Sequence, residues 1–264
     1  MRAARTLCLV GAALLLAAPA AWADWDPGDG HKMHFPQLPD PFGWDVAFAP
    51  AFPMYVGPNE LADDWLCTET GPVEDIHIWF SWSEGWEGPI PSILVAIYSD
   101  DPVGPHGYSQ PRDILWEKEF LAGEFTTRPA GAGDQGFYDP ATDYIMEHDH
   151  DAFFQLNIVD ILDPFIQTEG EVYWLSLTVN CDPVSGPIPG WKTADVDSYP
   201  EPDTGQHYRD DAVWRCMGMN VWEWQELVDP LDGESLDLAF VITPEPATLG
   251  LLAVGALALL RRRA

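Results

Sequence analysis

The chain has 264 residues, with 12 basic residues against 43 acidic ones and a formal net charge of −31. A surface of that sign repels phosphate backbones and anionic lipid, which excludes nucleic-acid binding. Such charge can also mark disorder, but 13 tryptophans argue for a folded body, because indole rings bury large apolar areas when ordered.

Residues 1–23 have three parts in order. Arg2 and Arg5 give a positive start, Leu7 to Ala18 form an apolar run, and Ala21-Trp22-Ala23 closes the segment with small residues. This is the layout of a secretory signal peptide, with Ala21 and Ala23 directing a cut before Asp24. The apolar run is too short to span a bilayer stably. Between Asp24 and Thr243 lie seven basic residues (Lys32, Arg112, Lys118, Arg128, Lys192, Arg209 and Arg215) against 42 acidic ones, a net charge of −35. The length of this part suits one secreted acidic β domain with its own core. Three cysteines fall within it, Cys67, Cys181 and Cys216. Outside the cytoplasm that count predicts one disulfide and one leftover thiol, with Cys181 joined to either neighbour.

Residues 24–60 are rich in Pro, Gly and Asp and read as an irregular opening segment. Period-two patterning then dominates. In Val73 to Trp82, Ile76, Ile78, Phe80 and Trp82 share one face, opposite Asp75, His77, Trp79 and Ser81, which predicts a strand with one polar face. Ile93 to Tyr98, Phe153 to Val159, Glu171 to Val179 and Leu236 to Ile242 read as further strands, and Ile114 to Phe120, Ala212 to Cys216 and Val221 to Val228 as weaker ones. A short helix over Ile158 to Phe165 would end at Pro164. Gly85 to Pro91, Asp100 to Pro111, Arg128 to Gly136 and Asp182 to Gly190 read as breaker clusters. The sum is an all-β fold, an antiparallel β-sandwich of jelly-roll type with long irregular loops.

Four constellations bear on chemistry. Asp24, Asp26 and Asp29, with the pairs Asp63-Asp64 and Asp210-Asp211, offer oxygen ligands for calcium, although no EF-hand spacing is present. His148 and His150 in Glu147-His148-Asp149-His150-Asp151 would share a face if the chain were extended and could then chelate a transition metal, but loop position and the dense local negative charge favour a solvated turn. Trp79, Trp86, Trp222 and Trp224, with carboxylates nearby, suit stacking on sugar rings. The many Glu and Asp residues would permit a glycosidase pair, but neither a G-x-S-x-G elbow nor an H-E-x-x-H motif occurs, and no catalytic residue is assigned.

At the other end, Thr243-Pro244-Glu245-Pro246-Ala247-Thr248 leads into an uncharged run, Ala247 to Leu260, that stops at Arg261, Arg262 and Arg263. As a helix this run covers about 21 Å at 1.5 Å per residue, and the arginines favour a cytoplasmic end. Residues 244–264 resemble the PEP-CTERM tail of exosortase substrates. The resemblance implies that Pro244, Glu245 and Pro246 are read by a membrane-embedded processing enzyme after the export translocon has acted. It further implies that the tail crosses the inner membrane transiently before it is removed or exchanged.

The body is similar to an uncharacterised β-rich extracellular domain of environmental bacteria, through Asp29-Gly30-His31-Lys32-Met33-His34-Phe35-Pro36-Gln37-Leu38-Pro39-Asp40, Leu61-Ala62-Asp63-Asp64-Trp65-Leu66-Cys67, Asp75-Ile76-His77-Ile78-Trp79 and Asp210-Asp211-Ala212-Val213-Trp214. That resemblance carries no activity. The expectation is a non-enzymatic protein of the cell surface or extracellular matrix, with calcium as a candidate cofactor. The alternatives are a carbohydrate-binding module that takes extracellular polysaccharide and a glycoside hydrolase.

Overall fold

The structure, a computed structural model, describes residues 24–49, 57–103, 107–182, 186–196 and 212–243. Asp24 to Asp26 group with the chain termini in one unit, and Pro27–Pro244 form a second; the second, the body, is described here. It is all β. One six-stranded sheet contains β1 (Trp44–Ala47), β4 (Asp75–Trp82), β7 (Thr126–Asp139), β8 (Tyr144–Ile158), β11 (Pro189–Lys192) and β14 (Phe240–Thr243). The other contains β2 (Glu60–Leu66), β5 (Ser92–Asp101), β6 (Gln110–Leu121), β10 (Val172–Asn180), β12 (Val213–Cys216) and β13 (Val221–Glu226). A two-stranded ribbon pairs β3 (Gly71–Pro72) with β9 (Ile166–Gln167).

The first sheet closes on itself. β11 pairs with β1 through Lys192, Trp191 and Gly190, and with β4 through Trp191, Gly190 and Pro189. β1 joins β7, β7 joins β8, and β8 joins β4, which completes a ring of five strands. β14 lies along the same edge of β4 as β11, opposite Asp75 to Ile78. Every pairing is antiparallel except β1 with β7, whose register Trp44↔Gly136 to Val46↔Tyr138 is parallel.

Register assigns the faces, since directly opposed residues share a side. Ile76, Ile78 and Phe80 of β4 align with Ile158, Leu156 and Phe154 of β8, and Phe240 and Ile242 of β14 continue the surface. The second sheet packs here, with the rings of Trp65 and Phe240 at 6.2 Å and those of Trp191 and Phe240 at the same distance. The opposite face of the second sheet carries a smaller core of Ala62, Ala96, Tyr98, Trp174, Val213 and Trp224, against which Tyr108 packs.

Three expectations change. All eight residues of β4 are buried, so Asp75, His77, Trp79 and Ser81 do not face solvent. They point to the inner side of the ring, where polar partners replace water. Arg128 to Gly136, expected as a breaker, lies inside the 14-residue strand β7. Its glycines admit close neighbours: a Cβ on Gly133 would sit 1.8 Å from the Pro41 carbonyl oxygen, and one on Gly136 would sit 2.3 Å from the Trp44 ring. The expected helix at 158–165 is irregular chain, in which Asp160 and Asp163 have φ of 53° and 58°. The Asp160 amide donates to Asp75 instead of to a helical carbonyl.

Gly133→Ala should therefore destabilise the body by roughly 1–3 kcal/mol, the usual cost of overpacking. Gly186→Ala, where the nearest atom is 3.5 Å from the added methyl, should be close to neutral. Urea midpoints of the two variants against the native chain check the contrast.

Candidate functional site

The ring encloses charge. Asp45 on β1 and Lys192 on β11 are register partners, and the Lys192 ammonium lies 3.2 Å from Asp45 Oδ2 while donating to the Gly43 carbonyl at 3.0 Å. His150 Nε2 lies 3.1 Å from the same carboxylate oxygen and 2.6 Å from Ser81 Oγ. Its Nδ1 lies 2.9 Å from Asp149 Oδ2. β1 and β8 are not hydrogen-bonded neighbours, so the contact between Asp45 and His150 is made across the enclosed space. The side chains of Asp45, His150 and Lys192 are wholly out of water.

Burial would push the Asp45 carboxyl upward, but Lys192 and His150 outweigh it and hold the group below the usual carboxylate range. Burial would likewise push His150 down. Hydrogen bonds to Asp149 and Asp45, with their charges, overcome that and lift it to about 9. The upward shift favours the imidazolium of His150, which is set between Asp45 and Asp149.

Ser81, His150 and Asp149 have the contact order of a hydrolytic triad, yet the chemistry differs. A triad histidine must arrive neutral, with a free Nε2 lone pair for the hydroxyl proton. Here the raised pKa favours the doubly protonated ring, and Nε2 lies against the Asp45 carboxylate. Ser81 is fully buried besides. What the arrangement can do is hold four strands together through charge-assisted hydrogen bonds.

A bulge creates the cluster. Between the pairs Gln135↔His150 and Phe137↔Met146 the register of β7 and β8 shifts, and His148 adopts φ of 57°. This sends His150 inward and His148 outward, where it lies 2.7 Å from Asp134. The two histidines therefore point apart and form no chelating pair, and the segment expected as a solvated turn lies within β8. Sequence reading missed the site, although one signal was available: in so acidic a body Lys192 is a scarce cation, and it follows a fully buried Trp191.

A second polar cluster lies on the far face of the other sheet. Arg215 Nη2 and Nε each lie 2.6 Å from Glu60 Oε2, while Glu60 Oε1 accepts from Tyr98 and Ser176 at 2.8 Å. The guanidinium stacks 4.2 Å over the Trp224 ring. Burial and the adjacent Glu60 raise the Tyr98 hydroxyl far above its ordinary value.

The expected ligand residues are scattered. Asp63 and Asp64 lie within β2 and are fully buried. Asp63 accepts from the Asp64 and Leu238 amides and from Gln37, which is strand bonding rather than metal ligation. Asp29 is exposed, Asp24 and Asp26 belong to the other unit, and Asp210 and Asp211 lie outside the described residues. Among the described residues no group of three or more His, Cys, Asp or Glu is arranged to hold a metal ion.

Trp79 and Trp224 are buried, which removes both as sugar platforms; Trp86 and Trp222 are 70% and 62% exposed. The expected disulfide is not present, since Cys67, Cys181 and Cys216 are all free. Burial pushes the Cys181 thiol up to about 11, which keeps it protonated. Ala21, Ala23, Pro244, Glu245, Pro246 and Arg261 to Arg263 lie outside the described residues. No helix among the described residues is long and apolar enough to cross a membrane.

The fold and its buried charges define an acidic all-β body with a candidate sorting tail behind it. Comparison with known families places it: residues 33–243 match the domain of unknown function DUF7901, and the chain belongs to that family. Residues 243–264 match the PEP-CTERM protein-sorting motif. No curated protein and no solved structure matches the chain. The motif implies processing by an exosortase-type system and export to the cell surface or beyond.

Two measurements test the buried cluster. Lys192→Met, which leaves Asp45 short of a partner, should cost about 3–5 kcal/mol in urea unfolding. Because the folded His150 pKa is raised, its contribution is fully present below pH 6.5 and is lost as pH climbs through about 9. The melting temperature should fall across that window, and the His150→Gln variant should show a flatter profile there.

Proposed function

We propose that this is a non-enzymatic protein of the cell surface or extracellular matrix, delivered there by its sorting tail. The observation that carries the reading is the motif at 243–264, which begins on the last residue of β14 and follows a body matched over nearly its whole length by one family. The chemistry of the ring interior supports the non-enzymatic part. The serine–histidine–aspartate chain among the described residues has its serine and histidine buried, and the raised His150 pKa favours the charged ring over a neutral base.

A second reading, binding of extracellular polysaccharide, is favoured by Trp86 and Trp222. Both rings stand in solvent, and Trp222 lies on β13, at one end of its sheet, with the exposed Glu223 and Glu226 on the same strand. An indole face stacks on apolar sugar faces while carboxylates bond hydroxyls. The net charge of the body adds a selection rule, since it opposes anionic polymers and tolerates neutral or cationic ones.

Cell fractionation tests the first reading: the processed chain is expected outside the cytoplasm, and intact precursor confined to the cytosol would sink it. Retention on neutral and anionic polysaccharide columns tests the second. Native protein should be held by a neutral matrix and lose that retention in the Trp86→Ala, Trp222→Ala double variant; equal elution of both proteins from every matrix would end the binding idea.

A further inference from the structure

The sorting motif begins on the last residue of β14. β14 is the last strand among the described residues, and both of its edges are occupied. Phe240 to Thr243 pair with Ile78 to Asp75 of β4 on one side. On the other, the Lys32 amide donates to the Ile242 carbonyl at 2.8 Å, and the Gln37 amide donates to the Phe240 carbonyl at 3.2 Å. Val241 and Ile242 are completely buried, Thr243 is 5% exposed, and the Thr243 hydroxyl lies 3.3 Å from His77 Nε2. Pro244 follows with no residue between.

An enzyme that reads Pro244-Glu245-Pro246 in a cleft also has to accommodate the chain leading into it. Extended segments are bound through their own backbone groups and through side chains on alternate faces. In the three residues before Pro244 those backbone groups and side chains are committed to β4, His77 and the segment around Lys32. They cannot serve the body and an enzyme cleft at once.

We propose that docking of β14 and reading of the sorting motif are mutually exclusive, so that β14 is a latch that couples sorting to folding. The tail is read before β14 docks or when it transiently undocks, and a fully closed body withholds its own motif. This rests on the sorting reading above. Terminal elements open locally at a free-energy cost below that of global unfolding, which makes undocking a finite barrier and not an absolute block.

The test uses the full-length chain, accumulated and folded in membranes before the processing enzyme is induced. A flexible insert of about six Gly/Ser residues between Thr243 and Pro244, roughly 20 Å when extended, frees the motif without touching the body. Processing of the insert variant should be at least about tenfold faster than that of the native chain, the factor removed being the population of undocked β14. Equal rates for the two, with processing abolished in the Pro244→Ala, Glu245→Ala, Pro246→Ala variant, would overturn the latch and leave the sorting reading standing. Undiminished processing of that triple-alanine variant would remove the sorting reading, and the latch with it.

Discussion

The body depends on a four-residue strand. β11 is hydrogen-bonded on both edges, to β1 and to β4, and without it the first sheet would have two more open edges. Its side chains divide the structure. Trp191 goes to the space between the sheets, beside Phe240 and Phe48, and Lys192 goes into the ring to meet Asp45. A slip of one residue would exchange them, placing an ammonium in the apolar core and an indole among carboxylates. The pairing of Lys192 with Asp45 and the closure of the ring are therefore one constraint seen from two sides.

This arrangement explains how an acidic chain uses its few cations. Lys192 and Lys32 are buried, the latter donating to the Pro72 carbonyl, and Arg215 is committed to Glu60. Arg128 is half-buried and donates to Gln155. Cations that would ordinarily moderate surface charge are drawn into structural positions. The excess of acidic over basic residues leaves the surface self-repelling.

What was legible in the sequence follows the same physical line. β5, β10 and the C-terminal part of β8 were visible because alternation or continuous apolar runs report directly on burial. β4 was legible as a strand and misread as to its faces. Alternation distinguishes polar from apolar sides, and it cannot say whether the polar side meets water or Asp45 and His150. β7 was hidden for a related reason: Gly133 and Gly136 are turn residues in isolation, and only the approach of Pro41 and Trp44, remote in sequence, makes them strand residues. Trp79 was misplaced with its strand face, and Trp222 with Trp224 shows that two indoles on one face of one strand can differ in exposure when Tyr108 and Arg215 cover only the second. The C-terminal motif needed no such context, since a sorting motif is a linear string.

The buried cluster also shows why a contact order is a poor guide to chemistry. Ser81, His150 and Asp149 share the contact order of a catalytic triad, and Asp45 adds a carboxylate at the ring nitrogen that faces the serine. Its carboxylate stabilises the imidazolium on the nitrogen that would otherwise accept from serine. Buried charge sets of this kind contribute little net stability compared with apolar replacements of equal volume, whereas breaking one member is costly. That asymmetry suits a device that penalises wrong register more than it rewards the right one. In a ring where β11 contributes only four residues, too short for its hydrogen bonds alone to fix alignment, such a penalty settles which residue of β11 faces inward.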